Sequence, residues 1–450
     1  MPSAEQEKET LLERVNDALE GKDNELLEML LDDMHPADIA DLLESLPPEK
    51  REAILNRVDP DLLGEVLIEL SEGVREDLID KIDDLQLVAA TKTLETDELA
   101  DLIAGLPQDR VAEVLFALDR QTRERLDTVM GYPEDSAGGL MDMDAVTVRQ
   151  NVNIDVVQRY LRLRGELPEY TDKLFVVNSK GELRGALRLT DILTTQGDTR
   201  VKDIMDPDPV IFHATDSANA VAAAFERYNL ISAPVVDEDG QLIGRITIDD
   251  IVDVIREEAD HDVMARAGLD EEADIFAPVR KTTRDRAVWL GINLITAFIA
   301  SAVIAQFQGA IEKIVALAVL MPVVASMGGN AGIQTLTIAV RGLATGTISP
   351  ANAMRVIRHE LLVGGLNGLI WALVIAAITV LWFHDVKLGL VIAAATFINL
   401  IAAALAGVLL PLGLKKAGID PALAGGVTLT TVADVVGYLA FLGLAAAFLL

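Results

Sequence analysis

The 450-residue chain contains no cysteine. Disulfides and thiolate metal sites are therefore excluded, and any metal must be held by oxygen or by the five histidines. Positive charge is scarce as well: 38 Lys and Arg stand against 71 Asp and Glu, a net charge of −33. The shortage is confined to one part of the chain. From Arg280 onward there are 11 basic and 6 acidic residues, a balance of +5 that leaves −38 on residues 1–279. An acidic half of this kind cannot seek nucleic acid, because phosphate would repel it, but it can attract cations. The opening MPSAEQEKETLLERV has neither a basic n-region nor an apolar h-region, so no cleaved signal peptide is expected.

Charge of either sign is nearly missing from five stretches after Arg286, at 288–306, 314–340, 361–383, 388–414 and 422–450. Each is long enough to cross a hydrocarbon core of about 30 Å, which needs roughly 20 helical residues. Five in succession exclude an ordinary soluble core. Basic residues cluster in RKTTRDR before the first stretch, in RVIRH between the second and third, and at Lys415 and Lys416 between the fourth and fifth. The positive-inside rule then expects a multi-pass protein of the cell (inner) membrane, with a cytoplasmic N-terminus and the C-terminus outside.

Two of these stretches are unlike plain anchors. The second contains PVVASMGGNAGIQ, which puts Pro322, Gly328, Gly329, Asn330 and Gln334 inside an apolar segment. Glycine and proline there expect a loosened helix with exposed carbonyls, tolerated at membrane depth only within protein or beside water. Close helix packing through small residues accounts for the glycines equally well, but not for Asn330 and Gln334. The fifth stretch, from residue 421 to the end, carries one charge, Asp434, with Thr430 a turn earlier on the same face and Thr431 beside it. An ionised Asp at the bilayer centre costs roughly 2.5–3.5 kcal/mol on insertion scales, so such residues usually face a cavity or a pathway. A cation site and a protonated interhelical hydrogen bond are the two readings of Asp434.

The acidic half contains an internal repeat. LFVVNSKGELRGALRLTDIL at 174–193 aligns with APVVDEDGQLIGRITIDDIV at 233–252, each reading as strand, turn, strand and helix. The pair resembles tandem CBS domains, modules that often bind adenine nucleotides between the copies. The pattern associated there with ribose and phosphate is met in the second copy by Gly244, Thr247 and Asp250, whereas the first has Arg188 in place of the hydroxyl. Nucleotide binding and pure scaffolding both fit. Ahead of the repeat, ADIADLLESLP at 37–47 recurs as DELADLIAGLP at 97–107, which expects a superhelix of short amphipathic helices. After it, DDIVDVIREEADHD at 249–262 holds seven acids and one Arg, with Asp250, Asp253, Glu257 and Glu258 on one broad helical face. Like charges so spaced oppose helix formation, and divalent cations would supply the missing counter-charge.

Together these features resemble the MgtE family of magnesium channels. The motifs that carry the resemblance are EDSAGGLM, PVVASMGGNAGIQ, GIDPAL and TVADVVG, along with the acidic helical region, the CBS pair and the five spans. The fold it implies is multi-domain: an all-α superhelix at 1–130, a linker and first α/β CBS domain at 131–198, a second at 199–248, an acidic connecting (plug) helix at 249–280, and an all-α polytopic membrane domain at 281–450. It implies a homodimer that imports Mg²⁺ through a pore on its two-fold axis, with Asp434 holding the hydrated ion. Regulatory Mg²⁺ would bind at Glu65, Asp97, Asp101, Asp250, Asp253, Glu258, Asp262 and Asp420 and close the channel. Mn²⁺ and Co²⁺ would be competing ions, ATP a ligand of the CBS cleft, and the bilayer the remaining partner. Two departures stand out: the helix SANAVAAAFERYNL has Asn229 where a further carboxylate would help, and GGV at 425–427 replaces a proline-containing turn.

Other classes meet specific objections in the sequence. An ion-coupled secondary transporter would want ionisable partners within the spans or an inverted repeat. An enzyme would want a nucleophile–base set or a ligand cluster, which the scattered His35, His213, His261, His359 and His384 do not form. A non-conducting membrane Mg²⁺ sensor would want a separate output domain.

Overall fold

Short helices fill the N-terminal region because the sequence punctuates them. Pro36 and Pro48 begin helices Pro36–Glu44 and Pro48–Leu55, where a missing N–H leaves no hydrogen bond unmade. Asp23, Asp83 and Asp119 cap others by accepting first-turn N–H groups. The computed structural model describes residues 4–21, 23–32, 34–269 and 274–450. Residues 1–3, 22 and 33 of the expected N-terminal domain, and 270–273 of the expected connecting segment, lie outside the described residues. The chain divides into two compact units, one running up to Ala259 and including the segment that ends at Pro278, the other taking in the segment from Asp260 and everything from Val279 to Leu450.

In the first unit, helices from Ala4–Gly21 to Arg120–Val129 bury leucines and isoleucines on their inner faces. That core is continuous with the second CBS copy, through Phe212, Val221, Phe225, Val235 and Ile246. The first copy packs around a core of its own, including Val146, Leu174 and Leu187. Each copy is a three-stranded sheet with one parallel and one antiparallel pairing. Strands β1 (Thr147–Arg149), β2 (Lys173–Val177) and β3 (Leu183–Arg188) form one, and β4 (Phe212–His213), β5 (Ser232–Val236) and β6 (Leu242–Thr247) the other. Val176 pairs with Gly185 and Val235 with Gly244, and the register shifts at the following residue in both sheets. The repeat read from sequence is thus reproduced pair for pair. The turns of the two copies meet through reciprocal backbone bonds, Leu183 N–H to Gly240 O and Leu242 N–H to Gly181 O, both 3.1 Å.

Arg51 is fully buried in this unit. Its Nε donates to the Leu43 carbonyl at 3.0 Å, and its Nη atoms grip Asp274 at 2.6 and 2.9 Å. Residues 274–278, just before the first span, are therefore anchored on the N-terminal helices by a bidentate charge pair, the arrangement in which a buried guanidinium is tolerated. The acidic connecting helix covers Ile248–Ala267 and ends at Gly268, whose φ of +68° suits glycine.

The second unit contains five helices long and apolar enough to cross a membrane: span 1 (Val279–Ala305), span 2 (Ala316–Ala344), span 3 (Ala353–Phe383), span 4 (Val386–Lys416) and span 5 (Pro421–Phe448). Span 4 is the central helix, packed against spans 2, 3 and 5, while span 1 rests mainly on span 5 and leaves most of its surface uncovered. Span 2 stays helical through Pro322 and the glycines, where loosening was expected. The reason is packing: Gly328 and Gly332 are buried against side chains of spans 4 and 5, which support the helix from outside.

Candidate cation sites

The helix Thr96–Ala104 begins at Glu95, where Glu98 Oε2 accepts the Glu95 N–H at 2.8 Å. This turn places Glu95 and Asp97 toward the loop that carries Asp142. Carboxylate oxygens of Glu95, Asp97 and Asp142 all lie within 4.8 Å of one another. Asp97 is only 5% exposed, and its Oδ1 has no hydrogen-bond partner among the described residues. Burial holds its pKa well above the carboxylate range, and Asp250, Asp142, Glu95 and Glu98 add repulsion. Among the described residues one cation is paired with this group: buried Arg245, whose Nε donates to Asp142 Oδ2 at 3.1 Å and whose Nη2 is 4.0 Å from Glu95. An all-oxygen donor set with an orphaned buried oxygen suits a hard divalent cation such as Mg²⁺ or Ca²⁺.

The surrounding acids obey the same field. Glu95 is pushed up to about 7 by burial and then by Asp142. Asp250, on the connecting helix, is pushed up to about 8 by burial and Asp249, although Thr247 donates to it. Asp101 keeps a solvent-facing carboxylate, yet the protein mass around it pushes its pKa up to about 7, with Glu134 and Glu257 raising it and Arg75 opposing. Asp253 is raised by partial burial, and Glu69, one turn beyond half-buried Glu65 on helix Leu63–Glu69, is raised by burial and then by the charge of Asp253. Electrostatic repulsion thus links the acids expected at Glu65, Asp97, Asp101, Asp250 and Asp253, directly or through Glu98 and Glu69. Glu258, further along the same connecting helix, is exposed. Glu95 and Asp142 escaped the sequence reading: 47 residues separate them, and no spacing rule joins an N-cap to a loop so far along the chain.

These shifts fix the sign of a pH effect. Acids with raised folded-state pKa values contribute stability that is complete below their unfolded value near 4 and is lost as pH rises through about 7 to 8. Without divalent ions the protein should melt lower at about pH 8.5 than at about pH 5.5 through this cluster. Mg²⁺ at about 100 times its dissociation constant adds about 2.7 kcal/mol, or roughly 5–10 °C. That gain should be large at the higher pH and small at the lower, where protons compete for the ligands. Thermal denaturation of the purified protein in the four conditions measures it, and an equal gain at both pH values would remove the cluster as the binding site.

In the second CBS copy, Thr247 Oγ1 and N–H both donate to Asp250 Oδ2, at 3.0 and 3.3 Å. Gly244 is needed for another reason: a Cβ there would come within 2.9 Å of the Asp142 carbonyl and Met141 Sδ. In the first copy Arg188 Nε closes on Asp191 at 2.9 Å.

In the second unit Asp434 is half-buried and makes no hydrogen bond or ion pair among the described residues. The Thr430 hydroxyl donates within its own helix to Gly426 O and Val427 O, at 3.1 and 3.0 Å, and Thr431 to Val427 O at 2.7 Å. On span 2, Ser326, Asn330 and Gln334 form an uncovered polar row at helical spacing, with Asn330 Nδ2 3.3 Å from Ser326 Oγ. Pro322 is exposed, Gly329 is half-buried with open space beside it, and Gly328 is buried. Asp420 caps span 5 by accepting Ala422 and Leu423 N–H groups, and His261 Nε2 lies 3.1 Å from its Oδ2. Asp262, next to that histidine, pairs with Arg266 at 3.5 Å. Glu360, one residue before the expected third stretch, lies inside span 3, where Thr335 donates to it at 3.3 Å.

Five membrane-length helices, the last carrying Asp434 as its one charge, joined to a tandem CBS pair, define a multi-pass membrane protein of the cation-transporter class. Residues 321–444 match the MgtE family, described as a divalent cation transporter, residues 34–135 its intracellular N domain, and residues 201–257 the CBS domain. The magnesium transporter MgtE of Bacillus subtilis is 31% identical over 362 residues, 80% of each chain. That of Thermus thermophilus is 32% identical over 354 residues, 78% of each. A crystal structure of the cytosolic domain of the Mg²⁺ channel MgtE in complex with ATP is 31% identical, with a TM-score of 0.50, and covers 54% of this chain and 99% of that one. The chain belongs to the MgtE family of magnesium transporters, whose members are transporters rather than enzymes.

Proposed function

We propose that the protein is a Mg²⁺ channel that admits the ion down its electrochemical gradient and closes when Mg²⁺ occupies the acidic face of its first unit. The observation that carries this reading is Asp434, an unpaired acid in a span with no other charge. Two copies of the chain, facing each other as a homodimer, bring two Asp434 carboxylates and two polar rows of Ser326, Asn330 and Gln334 to a shared pathway. Mg²⁺ sheds water reluctantly, so these groups accept hydrogen bonds from its hydration shell rather than replace it, and the weak grip permits release. With the N-terminus cytoplasmic, a membrane potential drives the double charge inward by about 4.6 kcal/mol per 100 mV. Gly328 gives span 2 its close approach, Gly329 leaves open space on the pathway side, and Thr430 and Thr431 offer hydroxyl lone pairs beside the acid.

Gating follows from the same charges. Empty, the acids at Glu65, Asp97, Asp101, Asp250 and Asp253 repel and favour separated elements. Filled, they are bridged, and the connecting helix Ile248–Ala267 is held in place, with Glu258, Asp262 and Asp420 contributing further weak binding. The closed state must bind more Mg²⁺ than the open one for this to work. Gly244, Thr247 and Asp250 supply the ribose and phosphate contacts for ATP, a reading supported by the relative crystallised with ATP.

The test is Mg²⁺ flux into liposomes that carry the purified protein with its acidic unit facing the lumen. Saturable flux at low lumenal Mg²⁺ that falls as lumenal Mg²⁺ rises is expected. Flux insensitive to lumenal Mg²⁺ would remove the gate, and absence of flux from folded protein would favour a sensor.

A further inference from the structure

Asn399 has no exposed surface, although it sits midway along span 4, an apolar helix and the most buried of the five spans. Its Nδ2 donates to the Val324 carbonyl of span 2 at 2.9 Å. Its side chain fills the room left by two glycines on two other helices. A Cβ on Gly328 of span 2 would lie 2.1 Å from Nδ2, and one on Gly437 of span 5 would lie 2.7 Å from it. Gly328 belongs to the PVVASMGGNAGIQ segment, two residues before Asn330, and Gly437 lies three residues after Asp434. The Oδ1 of Asn399 has no hydrogen-bond partner among the described residues.

Simple packing does not account for this choice of residue. Leaving a buried amide oxygen unpaired costs about 1–3 kcal/mol, and leucine, with as many side-chain heavy atoms though a larger volume, carries no such cost. What leucine lacks is the directed bond to Val324. That bond fixes the rotation of span 2 about its own axis at the turn before the polar row, and the wedge between Gly328 and Gly437 fixes the separation of span 2 from span 5.

We propose that Asn399 is a positioning residue for ion selection: it sets the distance and rotational phase between the polar row of span 2 and Asp434, and so the bore presented to a hydrated divalent ion. The proposal rests on the reading of Asp434 as the cation site. A bore held by one directed bond passes ions whose hydrated shell matches it, and a loosened bore discriminates less. The consequence of disturbing Asn399 is therefore a changed ratio among ions, beyond any change in total flux.

The experiment compares Mg²⁺, Mn²⁺ and Ca²⁺ flux in liposomes for the full-length wild type, Asn399→Leu, Gly437→Ala and the double variant Gly437→Ala with Asn399→Ser, each normalised to folded protein. Asn399→Leu is expected to lower the Mg²⁺ to Ca²⁺ flux ratio by about fivefold or more, equivalent to about 1 kcal/mol. Gly437→Ala drives a methyl into the amide and should lose most flux, and shortening residue 399 to serine should restore it. If Asn399→Leu does not fold, the glycine pair decides alone: rescue of flux with a shifted ion ratio supports the proposal. Flux that remains dependent on Asp434 while every variant keeps the wild-type ion ratio would overturn the role of Asn399 and leave the pathway reading standing. Wild-type flux unaffected by Asp434→Ala would overturn both.

Discussion

Asp434→Ala should reduce Mg²⁺ flux by about 100-fold or more, corresponding to about 2.8 kcal/mol, without impairing the fold. The direction of the stability change makes this result diagnostic. Asp434 makes no hydrogen bond or ion pair among the described residues, so alanine breaks neither. Alanine also removes the cost of placing a carboxylate in an apolar span, roughly 2.5–3.5 kcal/mol on insertion scales. A variant that is at least as heat-stable as wild type and yet transports nothing identifies a group kept for the ion rather than for the structure. Asp434→Asn should retain little flux, because it keeps the shape and loses the charge that draws a divalent ion from its entry. Liposome flux beside thermal denaturation in detergent checks both halves. Near-normal flux in Asp434→Ala would take this residue out of the pathway.

The second large effect concerns closure. Asp97→Asn combined with Asp250→Asn should raise the lumenal Mg²⁺ needed for half-inhibition by about tenfold or more, within the 5- to 150-fold range of typical coupling energies. Asp97 is buried and holds the orphaned oxygen, and after burial Asp250 is the largest contributor to its raised pKa. The same double change should stabilise the protein in the absence of divalent ions near pH 8, because two repelling charges become neutral amides. Glu258→Gln, at an exposed position outside the group of Glu95, Asp97 and Asp142, should move half-inhibition far less. Unchanged inhibition in the double variant, with intact flux, would place the sensor elsewhere.

Hydropathy read along one dimension was enough to find five spans, but not their ends. Span 3 begins at Ala353, eight residues before the apolar stretch, because its first two turns carry Arg355, Arg358 and Glu360 on an otherwise regular helix. The repeat was equally legible: residues aligned by sequence alone, Val176 with Val235 and Gly185 with Gly244, occupy matching rungs of the two sheets. Asp434 was visible because a single acid in an uncharged run has no background to hide in.

Other features had no signature in the sequence, since each is a meeting of elements far apart in the chain. Glu95 and Asp142 are two acids among 71 until packing brings them to Asp97. Gly328 reads as a residue for a pore or for a contact until Asn399 is seen to fill the space beside it. Asn399 itself is one amide in a long apolar run, and its bond to Val324 depends on the rotation of two helices. Hydropathy, helical period and turn chemistry act between residues a few positions apart, so the sequence alone determined the spans, the repeat and the single acid of span 5. Which acids meet, and which helix faces touch, is decided by the packing of whole elements, and only the tertiary structure holds that information.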